Sequence, residues 1–151
     1  MTVMSKPQQS FRLEPVHPKP EEAHTMPYAP AVQIVGACDL MFLSGATSSP
    51  LYHKHPHVDE EHVQPHAIAE QTTRAMEAIK SILDKVGADW RDVVKVTKYL
   101  TDIRDADGMH ATMNKYFGDW KPASTTVCIN QLSSPGARVE LDMIVALPKK
   151  S

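Results

Sequence analysis

The chain has 151 residues, 42% of them hydrophobic, which suits one compact domain with a real core and leaves two domains cramped. Eighteen acidic against sixteen basic residues give a formal charge of −2, with no basic stripe long enough to follow a phosphate backbone, so nucleic acid is not an expected partner. Two thiols only (Cys38 and Cys128), no metal-type C-x-x-C spacing, no export signal and no apolar run of membrane-spanning length point to a reduced, cytoplasmic protein.

The first thirty residues, MTVMSKPQQSFRLEPVHPKPEEAHTMPYAP, are proline-rich and weakly periodic. They predict an extended arm over residues 1–25, frayed at its start, with a short strand near Phe11 to Val16. A single domain is then expected over 26–151. AVQIVGACDLMFLSGA reads as two short strands, Val32 to Val35 and Leu40 to Ser44, joined by a glycine-containing turn of hairpin length.

A loop rich in His and Pro follows, and from about Pro65 the period changes. Ile68, Thr72, Ala75, Met76, Ile79, Ile82, Leu83 and Val86 fall at helical spacing, and Gly87 supplies a stop. VVKVTKYLT, 93 to 101, is β-branched and alternating. After it Asp105 is placed to cap a second helix carrying Met109, Met113, Tyr116 and Phe117 inward.

Two alternating segments close the chain, PASTTVCINQL and ARVELDMIVAL. Paired as a hairpin, they put Ser124, Thr126, Cys128 and Asn130 on one face, with Arg138, Glu140 and Asp142 on a polar face of the second strand and Val139, Leu141, Met143 and Val145 opposite. The element order is that of an α+β domain: a mixed six-stranded sheet with two helices on one face. The other face would hold a row of Ser124, Thr126, Glu140 and Asp142, and such an exposed row predicts contact with a ligand or a second subunit.

MPYAPAV, LMFLSGAT, the central IAEQTTRAMEAIKSILDKVGADWRDVVKVTKYLTDI, PASTTVCINQL and RVELDMIVAL resemble the RidA/YjgF/YER057c-type proteins over roughly residues 26 to 148. The wording of the last segments is also similar to the branch that includes 2-aminomuconate deaminases. The resemblance implies a chorismate-mutase-like fold, a homotrimer with a small-molecule cleft between subunits, and cofactor-free hydrolysis of reactive enamines and imines. It implies Glu140 as the water-handling acid and a substrate-binding set of Tyr28, Ser44, Gly45, Ser124 and Thr126, with His110 at a helix position often occupied by asparagine. An arginine that clamps the substrate carboxylate in deaminating members is replaced here by Ser124, so simple amino-acid imines are expected to be poor substrates. A trimeric, non-catalytic binding or regulatory protein is the alternative function.

Each candidate has a plainer reading. Arg138 could neutralise Glu140 and Asp142 as a row of ions without chemistry. His110 near two carboxylates would have a raised pKa and act as a general acid or an anion contact, or else be an inert helix residue. Tyr28 is a cleft hydroxyl or an anchor at the start of the sheet. The stretch YHKHPHVDEEHVQPH holds five of the eight histidines. Three at alternate positions would converge on a metal if the segment were extended, with Asp59 or Glu60 adding oxygen. Pro56 and the surrounding charges argue instead for a solvated loop at a cleft rim, so no metal is expected.

Overall fold

The computed structural model describes residues 9–151, and the expected fraying at the very start falls outside them. Six strands and two main helices form in the order β1 (Phe11–Val16), β2 (Ala31–Gly36), β3 (Asp39–Phe42), α1 (Ile68–Lys85), β4 (Val93–Leu100), α2 (Ala106–Phe117), β5 (Ala123–Cys128) and β6 (Val139–Leu147).

The strands divide into an antiparallel ribbon, β1-β2, and a four-stranded mixed sheet in the order β3-β6-β4-β5. A single parallel bridge between Ala29 and Ala123 joins the run-in to β2 with the β5 edge. Neither expected hairpin forms. β2 takes β1 as its partner from Phe11↔Gly36 to Val16↔Ala31, while β3, starting after the short link at residues 37 and 38, pairs with β6. β5 and β6 lie on opposite sides of β4, β5 parallel and β6 antiparallel to it. The cause is connectivity. β4, α2 and β5 make a strand-helix-strand crossover, which brings its two strands side by side in parallel and leaves the other edge of β4 for β6.

α1 obeys its spacing. Thr72, Ala75, Met76, Ile79 and Leu83 are buried, and the helix ends where Gly87 turns to a φ of 71°, a conformation open to a residue without Cβ. Met109, Met113 and Phe117 of α2 are buried against it. Both helices cover the sheet face formed by Val96 and Leu100 of β4 and Val139, Leu141, Met143 and Val145 of β6. Each fully buried side chain of this size contributes about 1.5–3 kcal/mol relative to exposure.

Two polar devices hold β6 in place, and sequence periodicity shows neither. Gln71, buried among apolar side chains, donates to the carbonyls of Pro65 (2.9 Å) and Gly136 (3.3 Å) and accepts from the Arg138 amide (2.9 Å). Arg138 donates through Nε to Asp105 Oδ2 at 2.8 Å and through Nη2 to the His66 carbonyl at 3.0 Å. The Asp105 carboxylate therefore ties β6 to the start of α2 and makes no capping bond of its own. Arg138 is spent there, so it does not neutralise a row of Glu140 and Asp142.

Candidate functional site

Strand register decides which candidate residues can meet. Residues opposite one another on neighbouring strands share a face. Val96 lies opposite Ser124 and Met143, and Lys98 lies opposite Thr126 and Leu141. Ser124 and Thr126 therefore stand on the helix-covered face. Glu140 lies opposite Tyr99 and Asp142 opposite Thr97, on the open face. The expected single row of Ser124, Thr126, Glu140 and Asp142 does not exist within one chain, because β4 intervenes between the two strands and sets their parities independently.

Around Glu140 there is a cavity of about 230 Å³, which Gly45, Thr47, His53, His57, His62 and Ser134 also line. The carboxyl group lies directly over Gly45: a Cβ built there would overlap it, coming within 2.8 Å of the Glu140 Cδ. Gly45 is required for this close approach, which the bridge between Ala46 and Leu141 fixes. Burial pushes the Glu140 pKa above the ordinary carboxylate value, and the charge of Asp142 adds to the shift. Asp142 itself accepts a hydrogen bond from Tyr99, whose pKa is raised by that bond first and by the nearby charge. Ser44, exposed, sits beside Gly45 but outside the lining of this cavity.

The loop wall of the cavity is braced by hydroxyl and amide contacts. Ser49 Oγ lies 2.5 Å from Ser134 Oγ, Gln64 Nε2 donates to Ser49 Oγ at 2.8 Å, and Ser48 Oγ donates to Gln64 Oε1. These side chains clamp the segment after β3 to the segment before β6.

A second cavity, of about 600 Å³, opens between α2 and the β4-β5 edge, and Tyr28, Lys98, His110, Asn114, Ser124 and Thr126 line it. Four of the expected residues meet here, away from Glu140. His110 departs from expectation in its electrostatics. Burial lowers its pKa, the Lys98 ammonium lowers it further, and Asp107 opposes the change in part. Its neighbour is a cation and not a pair of carboxylates, so it is held neutral and donates or accepts as an imidazole.

Lys98 is the residue that sequence reasoning missed. It occupies an inward position of β4 between Val96 and Leu100, and burial lowers its pKa to about 8, with Lys95 contributing. Among the described residues it forms no ion pair. The signal was present in the alternation of VVKVTKYL, where a lysine falls on the apolar parity.

Comparison with known proteins agrees with this architecture. The family model described as Endoribonuclease L-PSP matches residues 21–147. A RutC family protein of Pyrococcus horikoshii is 33% identical over 106 residues, covering 70% of this chain and 79% of the relative. A protein of Dermatophagoides farinae named 2-iminobutanoate/2-iminopropanoate deaminase is 27% identical over 121 residues, covering 80% of this chain and 86% of its own. Among solved structures, a Yersinia pestis protein of the conserved Rid family superposes with a TM-score of 0.61 at 25% identity, covering 80% of this chain and 88% of that one. The match across residues 21–147, the archaeal identity and the shared helix-backed mixed sheet make this chain a member of the RidA/YjgF family.

Proposed function

We propose that the chain is a RidA-type deaminase that hydrolyses a small, reactive imine or enamine, with Glu140 as the group that handles water. The observation that carries this reading is the half-buried Glu140 carboxylate, seated over Gly45 in a cavity of small-molecule size with its pKa raised toward working pH. In the reaction, Glu140 accepts a proton as water adds to the C=N carbon, and the proton passes to nitrogen. The resulting carbinolamine then collapses to a carbonyl and ammonia. No cofactor is needed for that balance.

Lys98 supplies the positive charge that Ser124 lacks, one strand away and facing Thr126, so an anionic end of the substrate binds there and not on a guanidinium. Ser124, Thr126 and Tyr28 add hydroxyl contacts. Because Glu140 and Lys98 occupy opposite sheet faces, one substrate reaches both only where two copies of the chain meet. The open face favours such an assembly: it carries exposed Leu40 and Phe42 beside the carboxylates, and no helix among the described residues covers it. We infer a homotrimer with three intersubunit clefts, residues 26–151 forming the domain, in the cytoplasm. No helix among the described residues is long and apolar enough to cross a membrane.

Two measurements test this. Light scattering at micromolar concentration is expected to give three subunits, and a stable monomer would remove the cleft. With Lys98 in the role of the missing guanidinium, imines generated in situ from small amino acids, poor substrates on the sequence alone, are expected to release ammonia with the parent, and the rate is expected to fall at least tenfold in Lys98→Met, mainly through KM. An inactive parent on every imine tried, with tight binding of a small anion retained, would favour the alternative of a binding or regulatory protein, to which Ser124 in place of the arginine already points.

A further inference from the structure

The sequence argument against a metal was Pro56 and the surrounding charges, yet the structure brings three of the loop histidines together. The rings of His53, His55 and His57 lie with centroids 4.7 Å (53–55), 4.8 Å (53–57) and 4.9 Å (55–57) apart. One ring nitrogen from each falls within 4.8 Å of the other two. Around a tetrahedral zinc with bonds near 2.0–2.1 Å the nitrogens stand about 3.4 Å apart, so each pair has at most roughly 1.4 Å to close.

We infer that His53, His55 and His57 form a binding site for one divalent transition-metal ion of the zinc type, at the rim of the cavity that Glu140 lines.

The loop is shaped for this by Glu61. Its Oε1 accepts from the Lys54 amide at 2.8 Å and its Oε2 from the Val58 amide at 3.3 Å, which staples together the two ends of the segment carrying His55 and His57.

Partners of the ring nitrogens also select the ligating atoms. His53 Nδ1 lies 3.4 Å from the Pro50 carbonyl and donates to it, leaving Nε2 free for a metal. His57 Nδ1 lies 3.3 Å from His62 Nε2, so with Nδ1 donating to His62 its own Nε2 is likewise left. Carbonyl and imidazole acceptors behind a metal-bound histidine fix its tautomer and orientation. Asp59 and Glu60 stand outside the convergent group.

Three neutral imidazoles without thiolate or carboxylate suit zinc, nickel, cobalt or copper and are poor partners for calcium or magnesium. Three protein ligands also leave a fourth position open. His53 and His57 line the same cavity as Glu140, so the ion borders that space. The inference rests on the loop and does not depend on the proposed deaminase activity.

The test uses the untagged full chain, stripped with a chelator and titrated separately with zinc and cobalt(II). One equivalent per chain is expected, with the visible absorption of four-coordinate cobalt. His53→Ala, His55→Ala and His57→Ala should each weaken binding more than tenfold, and His62→Ala about tenfold through its hold on His57. His24→Ala, at a remote histidine, should bind as the parent does, and so should Glu140→Gln. Substoichiometric uptake, or affinity unchanged in the three alanine variants, would mean an adventitious ion only and overturn the site. Loss of binding in Glu140→Gln would overturn the three-histidine assignment.

Discussion

Replacing Glu140 with Gln is expected to lower turnover of an imine substrate by about 10²–10⁴-fold, the usual contribution of a positioned general base, while the protein gains thermal stability at neutral pH. The opposite signs share one cause. Burial raises the folded-state pKa of Glu140 above its unfolded value, so ionising it in the folded protein is unfavourable. The stability associated with the protonated carboxyl is fully present below the unfolded pKa and is lost as pH rises through the folded one. Glutamine has nothing to ionise, so the variant lacks that decline and melts at a higher temperature at pH 7. The parent's activity should follow the same group in the other direction, falling as pH drops through the raised pKa because the base is then protonated. Assays of kcat across pH, with melting curves of both proteins in the same buffers, check both parts. Equal turnover in the two proteins would remove Glu140 from the chemistry. A less stable variant would mean that the carboxylate is held by a favourable contact and not strained by burial.

The two terminal strands show how much of this was legible in the residues. Alternation gave the strand character of 123–128 and 139–147, and helical spacing gave α1 almost to the residue, because both are local properties of the chain. Partner choice is not local. ASTTVC pairs with KVTKYL and not with the segment that follows it, because α2 intervenes between β4 and β5 and makes them parallel neighbours. That one difference moved Ser124 and Thr126 to the opposite side of the sheet from Glu140. It also brought Lys98 into their company, which no reading of β5 and β6 alone would have found. Gln71 was hidden for a related reason. Its position on α1 reads as a polar residue at the edge of an apolar stripe, and only the approach of residues 136 and 138 turns it into a buried anchor.

The separation of the two cavities yields the second large effect. If a working cleft takes Glu140 from one protomer and Lys98 from the next, Glu140→Gln and Lys98→Met are defects in different halves of the same site. Each homo-oligomer should be nearly inactive at a substrate concentration well below KM, the first through lost water activation and the second through lost anion binding. Unfolding and reassembling the two together in equal amounts should then restore activity, since about a quarter of the clefts in a randomly mixed ring draw the intact residue from both neighbours. A site contained in one chain gives a different result, because every protomer in the mixture carries one of the two defects and none can be repaired. The measurement is kcat/KM of the mixture before and after reassembly, with light scattering to confirm that oligomers re-formed. Recovery to about one quarter of the parent value is expected. No recovery from fully re-formed oligomers would sink the intersubunit cleft and leave Glu140 and the Lys98 cavity as two unconnected sites.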